Sequence, residues 1–573
     1  MGVAASTSMR SSSHPAPSDS PPDEQPRQPR ASGSRTCSAS RAPPRRGGCT
    51  RAATYHGAVP SLSATARLRL WTWGAPIGVT LLALILRLQN LGTPSSLMFD
   101  ETFYVKDAWT LANLGYEGQW PKGYSDDTFN AGDPWGYTTD PQYVAHPPLG
   151  KWLIAIGMAL FGPSNTFGWR FSVAIAGTIA VLLLFFIAKR LFHSPLLATI
   201  AAGFFAIDGH AIVLSRLSLL DNFLMLFGLL GFGAILLDRE SRERRLDTWF
   251  MLRPHPVDSP HPPIFGPALL WRPWLIAAGL AFGLMSGVKW SGIYYLVGFL
   301  AYVVITDYLA RRSRGIRYSL IGGIRTIPVA LVSTVPIALA AYLATFSGWF
   351  LSTNGYDRNW IAKGGERWTG LTAWVPDAIQ NLWHWHASIY AFHTGLSVTH
   401  PYATPAILWP LLARPTQIYY RGSATGQNGC QFNYCAEIVW SIANPILWWA
   451  SVACALFLVY LLFRRRDWRI GLILAGIGAG YLPWLAYPTR TMFQFYAIVF
   501  EPYLFLAAVY VIGLLLGLVG PQPAPERAPI YRRIVIVFLI LVVAVSAFFY
   551  PMWTGMQVPF WFWQIHVWSP TWV

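Results

Sequence analysis

The chain has 573 residues, with 43 Lys or Arg against 26 Asp or Glu, and a formal net charge of +17. Hydrophobic residues make up 53% of it and charged residues only 12%, about half the charged fraction of an ordinary soluble domain. So few charges could not cover the surface of a soluble protein of this size. The basic residues stand in short clusters between apolar runs, which is typical of cytoplasmic loops and argues against nucleic-acid binding. The composition predicts an all-α protein that crosses a membrane several times.

Residues 1–69 form a polar N-terminal segment rich in Ser, Pro, Ala and Arg. Because this composition cannot form a core, we predict a disordered, basic cytoplasmic tail. Farther along, Cys430 and Cys435 are spaced C-x4-C in the longest polar segment. A disulfide is expected there if the segment lies outside the cytoplasm. A zinc site ranks lower, since it would need two more ligands nearby.

Apolar runs of about 20 residues follow, and their Lys and Arg flanks predict their orientation. The first run is expected to be a retained membrane helix with its basic flank inside. The alternation then places the N-terminus in the cytoplasm and the C-terminus outside. Eleven spans are predicted: 74–91, 169–190, 196–214, 219–237, 274–289, 291–310, 323–346, 443–463, 470–487, 495–518 and 533–551.

The N-terminal part of this arrangement, residues 70–346, is predicted to form one membrane module. It includes a first external loop at 92–168. Within that loop the apolar run 149–162 is too short to span a membrane, so we expect an interfacial helix along the outer surface.

The C-terminal part contains three further regions. Residues 347–442 are expected to form a compact helical external domain, and residues 443–551 the C-terminal membrane helices. The Trp-rich residues 552–573 are expected to form an interfacial tail, because Trp concentrates where protein meets the bilayer surface.

Several charged residues lie at the outer ends of the predicted spans, where a charge is costly unless it is paired or functional. A carboxylate there can act as general base for a hydroxyl group, and Arg or Lys can hold a phosphate. This combination suits transfer of a sugar from a lipid phosphate to an external acceptor. For Asp221 and Glu501 a structural salt bridge is an equal alternative. The residues concerned are Asp100, Glu101, Arg216, Asp221, Lys289 and Arg490.

Two neighbouring candidates cannot share one role. Asp100 and Glu101 are adjacent, and adjacent residues do not share a helix face, so one is expected in the site and the other beside it as a brace. The external histidines His384, His386, His393 and His400 lack the spacing of metal ligands. Ordinary loop packing is therefore the expected role of these histidines.

Six motifs, in order along residues 73–551, resemble the protein O-mannosyltransferase family of GT-C membrane glycosyltransferases, actinobacterial type. The first-loop motifs FDETFYVKDAW and HPPLGKWL are fairly specific, and the later ones make the resemblance strong. The later motifs are SRLSLLDN, GLMSGVKWSG, HTGLSVTHPYATPAILWPLLARP and RTMFQFYAIVFEPYL.

The resemblance implies a GT-C fold in the plasma membrane, with an extracytoplasmic active site. It implies transfer of mannose, with inversion, from polyprenyl-phosphate mannose to Ser or Thr of secreted polypeptides. Asp100 would be the general base, with Glu101 as a second catalytic candidate. The expected substrate-binding residues are His146, Lys151, Arg216, Asp221, Lys289, Arg490, Gln494 and Tyr496.

One position departs from the family pattern. Eukaryotic members carry a second Asp two positions before the His of HPPL, where this chain has Val144. Asp140 lies four residues farther upstream, and whether it substitutes is left open.

The resemblance implies no cofactor, because the lipid-phosphate mannose is a substrate and fixed cations can supply the electrostatic stabilisation. Metal dependence is left open. Membrane lipid is an expected partner, and the secretion machinery is a candidate one.

Two other functions compete: a GT-C enzyme that moves a different sugar to a lipid or glycan, and a transporter or flippase. A transporter predicts charges at the bilayer midplane and repeat symmetry, and the sequence shows neither clearly.

Overall fold

The computed structural model describes residues 70–252 and 263–573, so the predicted tail at 1–69 lies outside the described residues. Long helices dominate the described ranges. In chain order they are α1 (Ala75–Leu88), α2 (Glu101–Leu114), α3 (Leu149–Phe161), α4 (Thr166–Phe192), α5 (Pro195–Ile207), α6 (Asp221–Leu252), α7 (Pro273–Val288), α8 (Gly292–Arg312), α9 (Thr326–Thr345), α10 (Asp377–Gly395), α11 (Pro445–Arg465), α12 (Trp468–Tyr481), α13 (Glu501–Leu515) and α14 (Ala528–Thr554).

Each of the eleven predicted spans overlaps one of these helices. In the described ranges, eight helical segments are long and apolar enough to cross a membrane. The other three predicted spans overlap the shorter apolar helices α5, α7 and α13. The polytopic helical class is therefore confirmed, whereas the count of eleven and the orientation stay predictions.

The span predicted at 196–214 is interrupted at Asp208. Its carboxylate accepts hydrogen bonds from the backbone N–H groups of His210, at 2.8 Å, and Ala211. This cap satisfies the free donors of a new short helix, Gly209–Leu214. The polar residue therefore ends α5 early and turns the chain.

Close approach of two helices depends on small residues. A Cβ on Gly279 would lie 2.6 Å from the carbonyl oxygen of Thr334, and one on Gly283 would lie 2.3 Å from that of Ala338. Only glycine permits this packing of α7 on α9, which is the usual way membrane helices come close.

The first external loop contains the helix predicted at 149–162. Helix α3 occupies Leu149–Phe161 and packs against α2 and α4. Its location at the membrane surface stays a prediction.

The external region 347–442 is less helical than expected. Helix α10 is present, but Thr416–Ala424 (β1) and Tyr434–Ser441 (β2) form an antiparallel pair. Both segments are rich in β-branched and aromatic residues and are separated by Gly and Asn, a strand signal that the helical prediction overlooked. Cys430 and Cys435 form a disulfide at the turn between the strands.

The Trp-rich C-terminal residues belong to this same sheet. Gln557–Pro559 (β3) pairs with β2, giving the strand order β1-β2-β3. The buried Trp572 indole donates to the backbone oxygen of Leu412 at 2.7 Å. Pairing and burial therefore tie residues 552–573 to the region 347–442, and their location at the membrane interface stays a prediction.

Candidate active site

The Asp100 carboxylate lies at the start of α2, in the first external loop. Phe99 has a φ of +53°, and this turn leads directly into the helix. Within the described ranges, the Asp100 carboxylate has no hydrogen bond or ion pair and is half-buried. Burial raises its pKa to about 6, and the nearby Lys289 ammonium opposes this shift. A carboxylate with this environment is a stronger base than an ordinary Asp and is free to accept a proton.

Glu101, the next residue, has the opposite environment. Arg170 donates to its two carboxylate oxygens at 2.8 and 2.7 Å. The backbone N–H groups of Ser218, at 2.8 Å, and Met98, at 3.1 Å, also donate to it. Glu101 is fully buried and both its oxygens are held, which favours the bracing role over a catalytic one; its catalytic role stays a prediction. It braces the turn that presents Asp100.

A cleft of about 430 Å³ lies beside Asp100, between the N-terminal end of α8 and the C-terminal end of α12. Five of the expected substrate-binding residues line it, together with tyrosine and tryptophan side chains from α8 and the segment after α12. These five are His146, Asp221, Lys289, Arg490 and Tyr496.

Lys289 and Asp221 form an ion pair inside this cleft. The ammonium nitrogen lies 2.7 Å from the Asp221 carboxylate and 5.2 Å from the centre of the Tyr496 ring. An ammonium group has three N–H donors, so two remain for a ligand. The structural salt bridge considered for Asp221 is therefore present, and a role of Asp221 in binding substrate stays a prediction.

Arg490 is held in place by His393. Its guanidinium donates to the His393 backbone oxygen and to His393 Nδ1, each at 3.3 Å, and to the Thr491 backbone oxygen at 3.2 Å. These contacts use three of the five guanidinium N–H groups, so two remain free. Trp484 lies under the guanidinium, with its ring centre 5.7 Å away.

His393 itself is fixed as a neutral imidazole. Its Nε2–H donates to the Ala145 backbone oxygen at 2.6 Å, which leaves Nδ1 to accept from Arg490. Burial, with the Arg490 and Lys289 charges, lowers its pKa to about 4. Its ring also stacks on His146, with centroids 5.1 Å apart.

The sequence analysis assigned His393 to ordinary loop packing, so this contact with the cleft was missed. The available signal was its position at the first residue of HTGLSVTHPY. His146 lines the cleft, and burial lowers its pKa well below the ordinary range.

Arg216, an expected substrate-binding residue, does not line the cleft, and its role in binding substrate stays a prediction. Its buried guanidinium donates to the Arg87, Gln89 and Asn90 backbone oxygens at 3.0, 2.6 and 3.0 Å. The last carbonyl groups of a helix lack hydrogen-bond donors within the helix, and Arg216 donates to those at the end of α1. The residue therefore stabilises the fold outside the cleft.

Lys151 is also committed elsewhere. Its buried ammonium forms ion pairs with Glu117 and, at 3.7 Å, with Asp107. Gln142 donates to the same Asp107 carboxylate at 3.2 Å. Burial outweighs these contacts and raises the Asp107 pKa to about 7. The group joins α2, α3 and the loop before HPPL, and Lys151 does not line the cleft, so its binding of substrate stays a prediction.

Gln494 and Glu501 face the interior rather than the cleft. The Gln494 amide donates to the Trp409 backbone oxygen at 3.2 Å, and the side chain is almost fully buried, so its substrate contact stays a prediction. Glu501 lies 2.6 Å from His210 Nδ1, which supports the structural alternative for this residue.

Val144, the first-loop residue that departs from the family pattern, packs among apolar side chains. Val144 is buried in a cluster with Trp349 and Trp385. Asp140 is exposed and is not among the residues that line the cleft. In the described parts of the chain, no group of three His, Cys, Asp or Glu residues is arranged to hold a metal ion.

Comparisons with known proteins place these features in a family. Residues 77–253 match the family model described as dolichyl-phosphate-mannose-protein mannosyltransferase. Residues 378–572 match the model described as the C-terminal four TMM region of protein-O-mannosyltransferase.

Two bacterial relatives match over most of their length. The chain is 32% identical to the polyprenol-phosphate-mannose--protein mannosyltransferase of Mycobacterium tuberculosis strain CDC 1551, over 88% of this chain and 92% of that one. It is 29% identical to the protein of the same name from Corynebacterium glutamicum, over 88% and 94%.

A solved structure has a similar fold. The S. cerevisiae protein O-mannosyltransferase Pmt1-Pmt2 complex bound to the sugar donor superposes with a TM-score of 0.64 at 14% identity. The match covers 89% of this chain and 93% of that one.

Proposed function

Because the chain belongs to the protein O-mannosyltransferase family of membrane glycosyltransferases, we propose that it transfers mannose from polyprenyl-phosphate mannose to Ser or Thr hydroxyls of secreted polypeptides. The observation that carries the mechanism is the free Asp100 carboxylate beside a cleft that contains Lys289 and Arg490.

The donor phosphate binds between Lys289 and Arg490. Together they offer four N–H groups that the protein leaves unused, two from each side chain. Arg matches two phosphate oxygens at once, whereas Lys acts as a point charge. The prenyl chain then leaves between α8 and α12, the helices that flank the cleft.

Asp100 accepts the proton of the acceptor hydroxyl as its oxygen attacks C1 of mannose. The bond between C1 and the phosphate oxygen breaks, and polyprenyl phosphate leaves with both electrons of that bond. Lys289 and Arg490 stabilise the negative charge that develops on the phosphate. Attack opposite the leaving group inverts the anomeric carbon.

The site lies on the extracytoplasmic face of the plasma membrane, with the C-terminus on the same side. The basic ends of α4, α8 and α11 support this orientation, since Lys and Arg concentrate in cytoplasmic loops. The disulfide between Cys430 and Cys435 supports it independently, because disulfides persist outside the reducing cytosol.

The test uses membranes that contain the full chain, radiolabelled polyprenyl-phosphate mannose and a Ser/Thr-rich peptide. We expect label in the peptide, none in a matched peptide with Ala at each Ser and Thr, and much less from a donor with a different sugar. Label only in lipid or glycan would contradict the proposal and favour another GT-C activity. Label released across the membrane without transfer would favour a transporter.

A further inference from the structure

A second, larger cavity lies on a different face of α8 from the cleft. This groove encloses about 1220 Å³ and is bounded by α7, α8, α9 and α10. Along α8 the two cavities use adjacent faces: Ser291 and Tyr294 line the cleft, whereas Ile293 and Leu296 line the groove. The groove is therefore separate from the proposed phosphate site.

The groove suits hydrocarbon rather than water. Its lining contains no Lys, Arg, Asp or Glu. Near α10 its polar groups satisfy one another: Trp290 Nε1–H donates to the Tyr342 hydroxyl at 3.1 Å, and that hydroxyl donates to His386 Nε2 at 2.5 Å. His386 Nδ1–H donates to the Leu382 backbone oxygen at 2.6 Å. Water needs two to four polar partners, and these groups are already paired.

The groove opens to the bilayer. Helices α8 and α9 both belong to segments long and apolar enough to cross a membrane. On α9, Val335 and Leu339 line the groove and are 40% and 55% exposed, so hydrocarbon chains of the surrounding lipid can enter between them. Trp383 and Tyr390 of α10 also line the groove, and both are largely exposed. Such exposed aromatic side chains are typical of an amphipathic helix at the membrane interface.

We propose that this groove binds an acyl chain of a membrane glycerolipid, with the lipid head group outside the rim formed by α10. The uncharged lining of the groove excludes the phosphate end of a prenyl lipid as the occupant. That phosphate anion would meet no cation in the groove, and His386 Nε2 already accepts a hydrogen bond and cannot donate one. The prenyl donor has its cations in the cleft instead.

The bound chain supports the wall between the two cavities. That wall is Trp290, which follows Lys289 and lines the groove. Its ring lies edge-on to His393, with centroids 6.0 Å apart, and stacks on His386 at 5.5 Å. An acyl chain packed against Trp290 therefore holds in place the segment that carries Lys289 and the histidine that positions Arg490.

The test reconstitutes the full chain in phosphatidylcholine vesicles whose acyl chains carry a diazirine at mid-chain. After illumination, labelled peptides are mapped by mass spectrometry. We expect label on the groove side of α10, at residues 383–390, as well as on the lipid-exposed surface of α14. Label on α14 without label on α10 would overturn the proposal. So would label on α10 from a photoactivatable polyprenyl phosphate but not from phosphatidylcholine.

A matched pair of variants separates the groove from general contact with lipid. Leu339→Trp fills the groove and should abolish label on α10. Leu331→Trp places the same ring on the same helix, about 12 Å away along the axis and outside the groove, and should leave that label unchanged. Equal labelling of α10 in the two variants, or equal loss in both, would contradict the proposal. The readout does not depend on mannosyl transfer.

Discussion

The Arg170 guanidinium binds both carboxylate oxygens of Glu101, at 2.8 and 2.7 Å, with neither side chain exposed to solvent. Arg170 also donates to the Leu91 and Pro94 backbone oxygens, at 3.2 and 2.9 Å, so the pair ties the end of the first span to α4. The turn that carries Asp100 is built on this pair.

Replacing Glu101 should therefore lower the stability of the protein, because Glu101 supports the fold. Glu101→Gln leaves the buried Arg170 without its counter-charge, which typically costs about 3–5 kcal/mol. We expect a large fall in the thermal unfolding midpoint of the purified protein. The double variant Glu101→Gln with Arg170→Met should recover part of that loss, because it removes the unpaired charge. A Glu101→Gln protein of normal stability and no activity would assign Glu101 a chemical role instead.

His393 should act on donor binding through Arg490. His393→Ala removes an acceptor from a charged donor, and such hydrogen bonds contribute about 1.5–3 kcal/mol, or roughly 10- to 100-fold in kcat/KM. We expect the KM for the lipid donor to rise, with partial rescue in His393→Asn, whose amide oxygen can accept from Arg490. His384→Ala is the control, since that histidine lies on the same helix and pairs with Asp357 at 3.0 Å. An equal effect of both alanine variants would refute the assignment.

The pH dependence of transfer should follow Asp100. A general base must be ionised, and the pKa of Asp100 is raised to about 6, so kcat/KM should fall as the pH drops below about 6. Because Lys289 lowers this pKa, Lys289→Met should weaken transfer and also shift the acid limb to higher pH. The measurement is a pH–rate profile of both proteins. An acid limb at the same pH in both proteins would contradict the statement that Lys289 lowers the pKa of the group that limits transfer.

Arg216 and Arg490 should differ although both were candidates for phosphate binding. Arg216→Met removes the partners of the carbonyls that end α1, so it should lower the unfolding midpoint and leave the donor KM unchanged. Arg490→Met should raise the donor KM and leave the unfolding midpoint unchanged. Donor titrations and thermal unfolding of the two variants check this, and a raised donor KM in Arg216→Met would return that residue to the site.

The sequence allowed prediction of features that depend on composition and local pattern. Apolar runs located the helices, and the Cys430 and Cys435 spacing indicated the disulfide. Costly charges at span ends pointed to Asp100, Lys289 and Arg490, which the structure places at or beside one cleft.

Other features depend on contacts between distant segments. Arg216 looks like a ligand-binding cation until the carbonyls it caps, more than a hundred residues away, are known. His393 can accept a hydrogen bond from Arg490 because the Ala145 backbone oxygen, in the first loop, fixes its tautomer. The pairing of β3 with β2 could not be inferred either, since a strand of three residues has no pattern of its own.

The central claim is that Asp100 takes the proton from the acceptor hydroxyl. The most direct measurement is transfer of labelled mannose to the Ser/Thr-rich peptide by Asp100→Asn, beside the control Asp140→Asn in the same external loop. The account predicts that Asp100→Asn loses nearly all transfer while keeping its thermal stability and its affinity for the lipid donor, and that Asp140→Asn retains normal transfer. Near-normal turnover by Asp100→Asn would contradict it.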